Sequence, residues 1–186
     1  MPIDIACKEG CSKCCHLHVS LMTPEVFYIV DKLKKTFSSS ALYFIQKSLT
    51  HSANKPTKNM LYRDRCIFLG QTSNRCTIYS FRPNACRRFF SDDYRRCEAT
   101  SGCPDQNSDL LYCSGALVGA FGAAGIEEQL DLESHEMNMA LSMVLQDESL
   151  FRRWLNREKN IFPVVLWENA GKNFDEVRKI IHMNFR

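Results

Sequence analysis

Cys7-Lys8-Glu9-Gly10-Cys11-Ser12-Lys13-Cys14-Cys15 brings four cysteines into nine positions near the start of the chain, and the architecture turns on how they are read. So dense a cluster lets a short loop fold back until several sulfurs point inward, as soft-metal sites require. Six more cysteines follow, at Cys66, Cys76, Cys86, Cys97, Cys103 and Cys113, and none in the last 73 residues. One tetrahedral metal takes four ligands, typically from two separated knuckles. The adjacent Cys14 and Cys15 diverge from most backbones, so they serve two different ions, or one of them supports the site from outside.

Composition sets the surroundings. The 186 residues suit one domain with a helical extension, and 45% hydrophobic with 24% charged residues excludes disorder, collagen-like repeats and coiled coil. A chain this long buries about 70% of its unfolded surface and needs no staples merely to fold. Met1-Pro2-Ile3-Asp4-Ile5-Ala6-Cys7-Lys8 has no basic stretch followed by an apolar core, so a cytoplasmic, reducing setting is expected, where clustered thiols mean metal or redox chemistry. Five disulfides are arithmetically possible, but vicinal Cys14-Cys15 and that setting argue against them. The uncharged run from Leu110 to Ile126 holds four glycines and falls short of the roughly 20 residues a spanning helix needs; no membrane partner is expected.

Outside the cysteines the chain reads as helical. Thr23-Pro24-Glu25 is a helix start, with Thr23 as N-cap and Val26, Val30, Leu33 and Phe37 along one face. A second helix follows Ser38-Ser39-Ser40 and carries Leu42, Ile45 and Leu49. Cys66-Ile67-Phe68-Leu69 and Cys76-Thr77-Ile78-Tyr79 flank Gly70-Gln71-Thr72-Ser73-Asn74 as a small hairpin or knuckle. Pro83 opens a short helix with Cys86 and Phe89, and His16-Leu17-His18-Val19 reads as a strand leaving the first cluster. Met137, Leu141, Val144 and Leu145 keep helical spacing, Asp147 caps a helix bearing Leu150, Phe151, Trp154 and Leu155, and Phe174, Val177, Ile180 and Ile181 mark a last one. The expected fold is mostly α: an irregular cysteine-rich metal-binding region over 1–113, packed on a helical C-terminal region over 114–186 as one compact unit.

With these motifs in view, the sequence resembles the YkgJ-like zinc- or iron-chelating cysteine-cluster (CxxCxxCC) domain family. The resemblance is carried by Cys7, Cys11, Cys14 and Cys15, by Cys66-Ile67-Phe68-Leu69, by Cys76-Thr77-Ile78-Tyr79-Ser80-Phe81-Arg82-Pro83-Asn84-Ala85-Cys86-Arg87, and by Cys103-Pro104. It spans roughly residues 7 to 105, with Asp105 where the family has glycine. It implies metal or cluster binding by eight cysteines, Cys7, Cys11, Cys14, Cys15, Cys66, Cys76, Cys86 and Cys103, and leaves Cys97 and Cys113 outside the pattern. It implies little about a reaction, although larger proteins with a similar domain, the flagellin lysine methylases, are iron–sulfur enzymes.

Spacing does not separate Zn2+ from an iron–sulfur cluster; zinc is favoured because it binds such sites tightly and tolerates oxygen. Cys7-x3-Cys11-x2-Cys14 has the radical S-adenosylmethionine spacing, but the chain lacks the length and the strand–helix repeats of that class. His16 and His18 are weighed as ligands and set behind the cysteines. Arg82, Arg87, Arg88, Arg95 and Arg96, with Phe89, Phe90 and Tyr94 among them, read either as a nucleic-acid surface or as compensation for anionic metal–thiolate units. With Asp92 and Asp93 interrupting them and a net charge of only +3, compensation is preferred and nucleic acid is not expected. Three functions follow: a cytoplasmic metal-chelating protein with chiefly structural sites; an iron–sulfur enzyme in electron transfer or a methylation-like protein modification; and, more weakly, a nucleic-acid-binding zinc protein.

Overall fold

A computed structural model describes residues 5–8, 10–54, 64–95, 97 and 106–162. The chain is mostly helical. Strand β1 (Ser20–Met22) leads into α1 (Thr23–Thr36) and α2 (Ser39–Ala53), the four-residue α3 (Asn84–Arg87) follows, then α4 (Ser108–Glu127), β2 (Ser134–Glu136), α5 (Met137–Gln146) and α6 (Ser149–Leu155). β1 and β2 pair antiparallel with Ser20 opposite Glu136 and Met22 opposite Ser134. Helices from both ends of the chain therefore share one core, α5 packing across α1 and α2, and the 113/114 boundary falls inside α4.

The start of α1 differs from the reading above. The cap position is Met22, whose N–H donates to Glu25 Oε2 at 3.1 Å. Thr23 sits one residue inside, fully buried, its hydroxyl hydrogen-bonded to Nε2 of the equally buried His135 at 3.0 Å. A tertiary partner has taken the hydroxyl, and a carboxylate three residues on has taken over the capping. The other oxygen of Glu25, Oε1, accepts the Asn84 N–H at 2.8 Å, so one side chain ties the start of α1 to the start of α3. Ser38 does cap α2, accepting from Ala41 N–H at 3.4 Å, but the cap position of α6 is Glu148, one residue past the expected Asp147; the Ser149 hydroxyl and the Ser149 N–H, at 2.9 Å, bond to Asp147 and hold its carboxyl below the usual range.

Val26, Ile29, Val30 and Leu33 of α1, Leu49 of α2 and Met137, Ala140, Leu141 and Val144 of α5 form the buried stripe. Each such aliphatic side chain is worth about 1.5–3 kcal/mol in removed surface. Phe27 meets Trp154 at 5.4 Å and Phe162 at 5.9 Å between ring centroids, and Trp154 Nε1–H donates to the Asp131 carbonyl at 3.0 Å. One polar seam crosses the core: Thr50 donates to Gln46 O, and its oxygen lies 2.7 Å from the buried Ser142 hydroxyl.

The glycine-containing run is one helix, and it is longer than the uncharged stretch suggested. α4 spans 20 residues and contains an 18-residue window with a mean hydropathy of 1.4, long and apolar enough by length and composition to cross a membrane. Ser108, Asp109 and Glu127 extend it beyond Leu110 and Ile126. Its glycines 119, 122 and 125 are buried, while Tyr112, Leu117, Phe121 and Ile126 face outward. At Gly125 a Cβ would run into the end of the Leu132 side chain, which packs against the bare glycine and would have to shift to admit it. The last expected helix, around Phe174 to Ile181, lies outside the described residues.

Candidate metal centre

The cysteines are carried by short turns. Gly10, at φ +83°, permits a left-handed turn before Cys11, and the Cys11 N–H closes back on Lys8 O at 3.0 Å. Lys13–His16 is a 3-10 turn holding Cys14 and Cys15; it occupies part of the stretch expected to be a strand, and extended pairing begins only at Ser20. The Cys66 N–H donates to Cys15 O at 2.8 Å, stitching the second cysteine segment to the first.

The segment from Cys66 to Tyr79 is the expected knuckle. Leu69 pairs with Cys76 across an isolated bridge, Gly70 N–H donates to Arg75 O at 2.9 Å and Thr77 N–H to Phe68 O at 2.8 Å. Both cysteines open tight turns: Leu69 N–H reaches Cys66 O at 3.0 Å and Tyr79 N–H reaches Cys76 O at 3.3 Å. Ser91 N–H donates to Cys7 Sγ at 3.4 Å, and the nearby backbone of Phe68 and Leu69 at Cys66, and of Ile78 at Cys76, opposes the rise that burial imposes on those thiols. Donors held this way favour thiolate over thiol, the form in which cysteine binds metal. Phe68, Ile78 and Phe81 anchor the knuckle by inserting into the helical core.

Electrostatics sorts the sulfurs into groups. Burial pushes the Cys66 thiol up to about 11, with the charges of Cys76 and Cys14 adding to it. Burial pushes Cys86, on α3, up to about 12, with Cys66, Cys14 and Cys76 adding to it. Cys14 is raised first by its hydrogen bond with the Cys15 thiol and then by burial, and Cys76 by burial and by Cys14. Cys14, Cys66, Cys76 and Cys86 are thus an inner group of half-buried thiols within one another's field. Cys7, exposed as a residue but raised by the burial its sulfur does have, feels Cys11, Cys14 and Cys97 and marks a rim group.

Among the described residues no group of three or more His, Cys, Asp or Glu side chains is placed so that it could hold a metal ion. The donor set nevertheless fits a thiophilic cation: bringing four sulfurs together makes each hard to ionise alone, and a cation that displaces their protons relieves that penalty while the nearby backbone favours the thiolates.

The remaining candidates separate clearly. Cys97 is buried, its S–H donating to Asp93 O at 3.9 Å, beside Cys7; sequence spacing gave no sign of that proximity. Cys113 is exposed on α4, and Cys103 lies outside the described residues. His16 is half-buried in the 3-10 turn. His135, with no sequence signal, is a structural histidine against Phe162, 4.7 Å between rings. The arginines divide as well. Arg95 pairs with Asp93 at 3.1 Å, Arg87 donates to the carbonyls of Arg82 and Ser80, and Arg82 stacks 4.0 Å over the Tyr79 ring with its charge felt by Cys14, Cys76 and Cys86. Arg96 lies outside the described residues.

No curated protein and no solved structure matches the chain. A family model does, over residues 6–104, which takes in Cys7 at one end, both knuckle cysteines, Cys86 and Cys103 at the other. By that match over more than half its length, the chain belongs to the CxxCxxCC family, described as a zinc- or iron-chelating domain.

Proposed function

We propose that this chain is a cytoplasmic metal-binding protein whose thiolate centres are chiefly structural and hold zinc in preference to an iron–sulfur cluster. The ligands are Cys7, Cys11, Cys14, Cys15, Cys66, Cys76, Cys86 and Cys103, enough sulfurs for two tetrahedral sites. Cys14, Cys66, Cys76 and Cys86 make the inner one, and Cys7 with Cys11 begins the rim. The observation that carries the reading is the backbone that joins the cysteine segments: Cys66 N–H donates to Cys15 O, and the Leu69–Cys76 bridge closes the knuckle between Cys66 and Cys76. Metal and acid-labile sulfide analysis of anaerobically purified protein tests it. The expected preparation is colourless, contains zinc and lacks sulfide. Brown protein with iron and sulfide overturns the preference for zinc, and protein that takes up neither metal after reductive reconstitution overturns chelation altogether.

A further inference from the structure

We infer that Arg82 is the built-in counter-charge of the inner thiol group, stacked on Tyr79 so that its guanidinium N–H groups meet the metal-bound thiolates. The inference rests on the chelation reading above and adds to it a residue that is not a ligand.

The backbone fixes where Arg82 can be. It follows the 3-10 turn Tyr79–Phe81 and precedes Pro83, the cap of α3, so it lies between the knuckle that carries Cys76 and the helix that carries Cys86. A residue before proline is confined to extended backbone, and Arg82 has φ −63° and ψ 155°. Its carbonyl is held by Arg87 Nε–H at 3.0 Å, and the next α3 residue, Asn84, is held by Glu25.

The side chain is placed with equal care. Its Cζ lies 4.0 Å from the centroid of the Tyr79 ring, a cation–π contact that fixes the plane of the fork. Its Nε is buried without a hydrogen-bond partner among the described residues. A buried donor without an acceptor is disfavoured, so the position makes sense once an acceptor is supplied. Thiolates are the acceptors at hand: Arg82 joins the end of the knuckle segment that carries Cys76 to α3, which carries Cys86. Four thiolates around a divalent ion leave two negative charges in excess, and one guanidinium halves that excess. Arg95 is engaged by Asp93, and Arg87 is spent on carbonyl groups. Stacked on Tyr79 with its Nε buried, Arg82 thus differs from Arg87 and Arg95 within a patch that sequence alone presents as uniform.

The test uses the full chain with Zn2+ under chelator competition and Co2+ as an optical probe. Arg82→Gln should weaken Zn2+ binding about 10–100-fold, the range for residues that orient metal ligands. It should also shift the thiolate-to-cobalt charge-transfer band and leave the unfolding temperature of the metal-free protein unchanged. Arg82→Lys should restore part of the affinity, Tyr79→Phe should behave as wild type, and Tyr79→Leu should lose part of it. Wild-type affinity and spectrum in Arg82→Gln would overturn the inference while chelation stands. An affinity loss matched by lower metal-free stability, with no rescue by lysine, would also overturn it, making Arg82 a packing residue. A wild-type protein that binds neither ion removes the chelation reading first and this one with it.

Discussion

The helical core and the cysteine segments solve the same problem by different means. Around α1, α2 and α5, residues such as Leu33, Leu49 and Leu141 are wholly buried, and regular hydrogen bonding takes care of the backbone. From Cys7 to Cys97, apart from β1, α1 and α2, the described chain has two 3-10 turns, one isolated bridge and a four-residue helix. That part touches the core through a few inserted side chains, Phe68, Ile78 and Phe81. A region so lean in regular structure needs another crosslink, and its gathered thiols offer one. Apolar burial holds the first region; the second is moored to it and awaits closure.

Removing metal tests that contrast most severely. Structural zinc contributes about 10–16 kcal/mol in small zinc domains. Chelator under reducing conditions should therefore raise the rate at which protease cleaves the knuckle and the Cys7–Cys15 segment through local opening, with Phe68, Ile78 and Phe81 still seated in the core, while α1, α2 and α5 resist cleavage. Simultaneous loss of both regions would show that they are not separable.

Phe68→Ala strikes the mooring itself. Phe68 is 2% exposed and belongs to the core cluster, so the expected cost is about 3–5 kcal/mol. Chemical denaturation should record that loss, and zinc affinity should fall with it because the knuckle loses its anchor. A loss of stability with unchanged affinity would mean that the knuckle holds its shape unaided.

Alkaline pH sharpens the comparison in metal-free protein. Thiols in an unfolded chain ionise near 8.5, whereas Cys66 and Cys86 are pushed up to about 11 and about 12. Between those values the folded state holds more protons than the unfolded one, so stability falls as pH rises. Denaturation midpoints should decline from about pH 8.5 toward 12 in wild type, and less steeply in Cys86→Ala. Binding of Zn2+ displaces the same protons, so its affinity should rise with pH below that window.

Smallest of all are the changes expected at the two cysteines outside the ligand set. Cys97→Ala should cost about 1 kcal/mol through a small cavity, and Cys113→Ala, on the exposed side of α4, nothing measurable. Both should keep full zinc content by metal analysis. Metal lost from Cys97→Ala would bring its sulfur, the neighbour of Cys7, into the rim site.

What the sequence made legible follows from the range of the interactions. Helices α1, α2, α5 and α6 were readable because each repeats apolar residues on one face, and the knuckle because two short apolar runs flank a turn. The role of Thr23 is invisible to local pattern because its partner, His135, stands 112 residues away. β1 and β2 are three residues each, too short for alternation to register. The family resemblance marked the sulfurs but left their grouping open, since grouping depends on Cys66 N–H reaching Cys15 O and on where α3 sets Cys86. The same limit made five arginines look alike, when stacking on Tyr79 singles out Arg82.

The pairing of Ser20 with Glu136 and of Met22 with Ser134 also has a consequence in time. A ribosome adds about 5–20 residues per second, and α5 ends about fifty residues after Cys97. For roughly 3–10 s of synthesis the cysteines up to Cys97 have been made, while the strand and helix that complete the core have not. Over that interval thiols and nascent α1 and α2 wait without their packing partners, open to any ion or oxidant nearby. On the chelation reading proposed above, the order of the chain gives metal capture a head start over tertiary assembly, and the metal supply during translation would then set how much protein reaches the folded state.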